Sequence, residues 1–160
     1  MNAVDILKYG HLTLLGSLEG LPDGAWTLPG ACGEYSVQTL VGHMATMENV
    51  LADALGAFAG DPGGAHFAAY AADREAYEAA ERARFAALPP EAGLAEYQAA
   101  HDRVMRHAAA IPTETLRQAG TIPWYGAEYA LDDLIVYFNY GHKREHAGQI
   151  GLFRDAARAT

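Results

Sequence analysis

The sequence predicts an all-α fold, a four-helix bundle with a long crossover that carries an extra helix. Three observations predict it. Alanine, the strongest helix former, is abundant, whereas Val, Ile and Thr, which favour strands, are sparse. The Gly and Pro residues gather at 20–33, 60–64, 88–90 and 111–126 and punctuate the chain. Between these breaks the apolar residues recur at helical spacing.

The first segment places Val4, Leu7, Leu14, Leu15 and Leu18 on one stripe, with His11 among them. A second helix begins at Ser36, a residue type suited to an N-cap, and carries Leu40, His43, Met47, Val50 and Ala54. A third, over residues 67–87, is rich in alanine and bears charge on several sides (Asp73, Arg74, Glu75, Glu78, Glu81, Arg82), so it reads as an exposed crossover helix. A fourth opens after Pro89-Pro90, carries Leu94, Tyr97, His101, Val104, Met105, Ala108 and Ile111, and is stopped by Pro112. The last helix covers residues 131–157, with Asp132 and Asp133 at the positive end of its dipole. Residues 121–129, which include Trp124, Tyr125 and Tyr129, lack helical spacing and read as a loop or short extended piece near the mouth of a site.

A chain of 160 residues fits a single domain spanning 1–160. At this length roughly 70% of the unfolded surface is buried, enough for an independent core. The formal net charge of -9, with no Lys/Arg cluster, disfavours both nucleic acid and an anionic membrane surface. With one cysteine, Cys32, no internal disulfide forms. No basic leader and no long apolar run stands out, so the expected location is the cytoplasm.

The strongest chemical signal is His142-Lys-Arg-Glu-His146. Histidines at i and i+4 stack on one helix face, where two imidazoles can share a cation. At 100° per residue, Ile135, Phe138, His146, Gln149 and Phe153 all fall within about 40° of His142, while Lys143 and Arg144 project away. Lys143 stands where the H-E-x-x-H zinc proteases have their glutamate, which argues against a protease. A metal ion usually needs a third protein ligand. His11, His43 and His101 are equally central to their own stripes, and periodicity does not choose among them. His66 and His107 read as loop or surface residues.

Two stretches carry a family resemblance. One runs from Gly33 to Glu48, with Tyr35-Ser36-Val37 ahead of His43 and an acid five residues beyond it. The other runs from Tyr140 to Ile150 and contains His142, His146 and Gln149. In order and spacing they resemble the motifs of the DinB-like (DinB/YfiT-like) metalloenzyme family over nearly the whole chain. The resemblance implies a four-helix bundle with a long crossover, a metal site from His43, His142 and His146, and a homodimer. It favours His43 over His11 and His101.

Three neutral imidazoles leave a cation's charge uncompensated and at least one position open, where a bound water or thiol becomes more acidic. Some proteins of the family resemble thiol-dependent S-transferases or isomerases that use bacillithiol, mycothiol or glutathione. The expected function is therefore divalent-metal binding, with Zn or Ni as first choices, in a metal-dependent thiol S-transferase acting on a small-molecule substrate with a low-molecular-weight thiol as co-substrate. The alternative is a non-catalytic stress-response protein whose ion stabilises the bundle; a third reading has no metal and merely packed histidines. Gln149 is a candidate partner for a metal-bound water, and Tyr137, Tyr140, Trp124 and Tyr125 are candidates to line a pocket. Glu48 caps or orients a neighbour or lies on a solvated face, and Cys32 reads as a bystander.

Overall fold

The computed structural model describes residues 2–159. Helix α1 (Ala3–Leu18) starts at a capping box in which Asn2 and Asp5 satisfy each other's backbone amides. A short 3-10 turn and a two-stranded antiparallel hairpin follow, β1 (Pro29–Cys32) and β2 (Tyr35–Ser36). Gly33 turns the hairpin at φ +56°, a conformation that favours glycine. This hairpin lies at the edge of a break that periodicity marked only as loop.

Helix α2 (Val37–Gly56) begins where Ser36 and Thr39 cap one another. Its buried residues point in every direction, among them Leu40, Met44, Met47, Leu51 and Leu55. A helix buried all round is a central helix, and α2 packs against the crossover on one side and α5 (Pro90–Ala110) on another.

The crossover is two helices, not one over 67–87. Asp73 ends α3 (Ala65–Ala72) and caps α4 (Arg74–Ala86), its carboxylate accepting from the Ala76 amide at 3.0 Å. The N-terminus of α3 is capped from outside: Asp53 of α2 accepts from the amides of His66 and Phe67 while holding Arg103 of α5 at 2.7 Å. The crossover is largely exposed, as expected, except for Phe85, which is fully buried against Gly42 of α2.

After α6 (Thr113–Arg117) the chain runs through turns to an unbroken helix in three parts: α7 (Leu131–Leu134), a π-helical segment (Ile135–Gly141) and α8 (His142–Arg158). The sequence predicts this helix but not its π segment. Helix α1 packs on α5, the π segment and α8, and α2 touches the same last helix, so four long helices enclose the core. The fold is all-α, as the sequence predicts.

The core has two apolar halves. One gathers Leu14, Leu40, Met44, Tyr97 and Ile150; the other gathers Leu7, Leu51, Leu55, Val104 and Ile135. Among the described residues, no helix is long and apolar enough to cross a membrane.

Candidate metal centre

Helix α2 delivers His43 and the start of α8 delivers His142 and His146. His142 Nε2 lies 3.1 Å from His43 Nε2 and 2.9 Å from His146 Nε2, and the three ligand atoms all fall within 4.8 Å of one another. Nitrogens about 2.0–2.1 Å from a shared zinc ion would stand roughly 3 Å apart, so the spacing fits a single cation. Among the described residues, these three histidines are the group of His, Cys, Asp and Glu side chains placed to hold a metal ion.

The ring nitrogens themselves argue for a cation. His146 Nδ1 faces Gln149 Oε1 at 2.7 Å, an acceptor, so Nδ1 carries the proton and Nε2 presents a lone pair to the cluster. Gln149 thus acts on the histidine, fixing its tautomer and ring orientation. His142 Nε2 has a nitrogen on each side and at most one proton to offer. A metal ion satisfies all three lone pairs at once, which fits this donor set.

Electrostatics keep the rings ready to ligate. Burial, then the neighbouring His146 and Arg74, lowers the His43 pKa to about 4. Burial, followed by His43 and His146, lowers that of His142 to about 3. Both are neutral at pH 7, as metal ligands must be.

His142 opens onto a cleft of about 420 Å³, walled by Met47, Tyr70, Tyr125, Tyr137 and Phe138, with Arg74 and Glu145 contributing charge. Of the four aromatic residues considered from sequence, Tyr125 and Tyr137 line this cleft. Trp124 instead packs edge-on to Phe67 at 4.8 Å, and Tyr140 lies under Arg144. Tyr70 and Arg74, from the crossover helices, carried no signal in the sequence. Cys32 is a half-buried free thiol in β1.

The other histidines lie elsewhere. His11 and His101 stack at 4.0 Å and 4°, with His11 Nδ1 3.0 Å from the Tyr97 hydroxyl. His66 is half-buried at the start of α3 and bonds Tyr77. His107 is not a surface residue: its side chain is 12% exposed, bonds the Ala52 carbonyl at 2.7 Å and faces Asp61.

One further expectation is corrected, and of the two readings of Glu48 the solvated face is excluded. Lys143 does not project away but is 1% exposed, and Glu48 is fully buried as its ion-pair partner. The core face of α8 runs through Lys143, His146, Ala147 and Ile150, so His142 lies on its shoulder and not at its centre. That rotation is what lets His142 reach the cleft. Burial opposes the charge on both partners, and the Lys143 ammonium with His101 still holds the Glu48 carboxyl below the usual carboxylate range.

No curated protein and no solved structure matches the chain. The family description of the Mycothiol maleylpyruvate isomerase N-terminal domain matches residues 10–131, which include His43 but stop short of His142 and His146. With most of its length matched, the chain belongs to the family of the Mycothiol maleylpyruvate isomerase N-terminal domain, a DinB/YfiT-like helical family.

Proposed function

We propose that His43, His142 and His146 hold one divalent cation, Zn²⁺ or Ni²⁺, and that the protein is a metal-dependent S-transferase joining a low-molecular-weight thiol to a small electrophile. The observation that carries this reading is the convergence of three Nε2 atoms beside an open, aromatic-walled cleft. A divalent cation held there supplies positive charge that favours a thiolate over a thiol at neutral pH. The matched family is named for a mycothiol maleylpyruvate isomerase, and that name supports a low-molecular-weight thiol as co-substrate.

The chain's own residues set the conditions. Gln149 holds the His146 ring by its Nδ1–H. Tyr70, Tyr125 and Tyr137 supply ring faces on which the apolar body of a small electrophile can rest. Glu145, on the same cleft, takes the thiol proton in this proposal. In an addition, the sulfur–carbon bond forms as the electrophile's π bond breaks, and the proton ends on the adjacent carbon, so no oxidant or reductant is consumed. The test compares thiol conjugation by metal-loaded wild type and the His146→Ala variant. The proposal expects a large loss of rate in the variant; equal rates contradict it.

The alternative is a non-catalytic stress-response protein in which the ion staples α2 to α8. The cleft at His142 favours the enzyme, because a purely structural ion has no need of an opening beside it. Metal binding that raises the melting temperature with no conjugation of any thiol would favour the staple. We also propose a single domain over 1–160, a cytoplasmic location and a homodimer. Leu12 and Leu152, both more than half exposed on the packed helices α1 and α8, support the dimer. Light scattering that gives the mass of one chain contradicts it.

A further inference from the structure

The two apolar halves of the core are separated by a layer of polar side chains. Each of the four long helices contributes: His11 from α1, Glu48 from α2, His101 from α5, and Asn139 with Lys143 from the last helix. Along each helix the switch is direct. Leu7 and Leu14 flank His11, Met47 and Leu51 flank Glu48, and Tyr97 and Val104 flank His101, with one member of each pair in either half.

Glu48 is the hub. Its Oε1 accepts from Lys143 Nζ and, at 3.1 Å, from Asn139 Nδ2, and it lies 3.6 Å from His101 Nδ1. Glu48, His101, Asn139 and Lys143 are all at least 95% buried by residue. Asn139 and Lys143 are i and i+4 on the last helix, across the junction where its π segment passes into α8. Lys143 adjoins His142, and Glu48 lies five residues beyond His43 on α2, a rise of about 7.5 Å. The clamp therefore joins the two helices that deliver the three histidines, close to where they deliver them.

A buried ion pair is weak evidence for stability, since taking two charges out of water costs about as much as their attraction returns. Its best-attested role is to select one register among alternatives that an apolar seam would tolerate equally. The seam between α2 and the last helix needs such selection. It carries a π segment, Ile135–Gly141, whose i→i+5 bonding winds the chain differently from an α-helix, so the length of that segment sets the rotation of the helix beyond it. Turning α8 by one residue, about 100°, would carry His142 and His146 away from His43.

We propose that Glu48, Lys143 and Asn139 are positioning residues that fix the register of α8 against α2 and so bring His142 and His146 onto His43. The proposal rests on the three-histidine site as a metal site. Its content is that the polar layer sets the geometry of that site, whatever it contributes to stability.

The test replaces both charges together, Glu48→Met with Lys143→Met, so that neither is left unpaired. Chelator competition measures affinity for Zn²⁺, and the visible spectrum of the Co²⁺-substituted protein reports coordination. The proposal expects a folded double variant that binds Zn²⁺ about 10- to 100-fold more weakly than wild type, with a changed Co²⁺ spectrum and an unchanged or higher melting temperature without metal. A folded double variant with wild-type affinity and spectrum overturns it, as does a lower melting temperature with unchanged affinity. Should the double variant not fold, Asn139→Leu, which leaves the ion pair intact, is read in the same way: weaker Zn²⁺ binding supports the proposal and wild-type binding overturns it. Wild-type protein that binds neither Zn²⁺ nor Ni²⁺ removes the metal reading itself, an outcome distinct from failure in the variants alone.

Discussion

His146 shows how much one neighbour decides. Its Nδ1–H is taken by Gln149, so its Nε2 has no role but to accept. Gln149→Ala frees the ring and its tautomer, and metal affinity is expected to fall about 10-fold or more; chelator competition checks this, with wild-type affinity as the contrary result. The depressed pKa values of His43 and His142 make a second prediction for the metal-free protein. Unfolded, each imidazole takes its proton near pH 6.5; folded, they wait until about pH 4 and about pH 3. Between these limits the unfolded chain binds more protons, so the contribution of these two histidines to stability falls as pH drops from about 6.5 towards 3. Urea melts across this range should show a shallower fall in the His43→Ala, His142→Ala double variant; an identical slope contradicts the assignment.

The pair at 142 and 146 was legible because i and i+4 spacing is local. His43 was not, because three histidines were each central to an apolar stripe, and only the motif around Tyr35, Ser36 and Glu48 singled it out. Lys143 was misplaced for a physical reason. Centring the helical projection on His142 assumes that the ligands mark the middle of the buried face. Here a buried carboxylate on another helix draws a lysine inward, and local spacing carries no sign of that partner.

At the scale of elements, α2 is held by close approaches. A Cβ on Gly42 would stand 2.4 Å from Phe85, so the crossover docks beside His43 only because this position has no side chain. Gly42→Ala is expected to cost about 1–3 kcal/mol through overpacking and to weaken metal binding by shifting α2; urea melts and metal titration together check it. The helix starts at Ser36 and Pro90 and the stop before Pro112 were readable from capping and proline rules. The break at Asp73 was readable in principle, since Asp is a strong N-cap residue, but alanine on both sides preserved the appearance of one helix. The π segment left no mark in sequence, because its signature is a change in hydrogen-bond partners and not in residue type.

At the scale of the whole molecule, the last helix and α2 meet through the histidines at one level and the Glu48 clamp at another. An ion shared by both helices would add to their attachment. At free metal 100-fold above its Kd, binding stabilises the fold by about 2.7 kcal/mol. For a domain of this size that is about 5–10 °C in melting temperature. Calorimetry with and without Zn²⁺ should show the shift in wild type and lose it in His43→Ala. Fold class was legible because bundle formation follows from patterns repeated along every helix. The cleft was only half legible, since Tyr70 and Arg74 reach it from a crossover whose docking depends on Gly42 and Asp53.

The most direct measurement is the metal content of tag-free protein by elemental mass spectrometry, in wild type and in His43→Ala. The account predicts about one divalent ion per chain in the first and a near-complete loss in the second, although the substitution lies on a different helix from the other two histidines. Equal metal content in the two proteins, or none in wild type after incubation with Zn²⁺ and Ni²⁺, contradicts it.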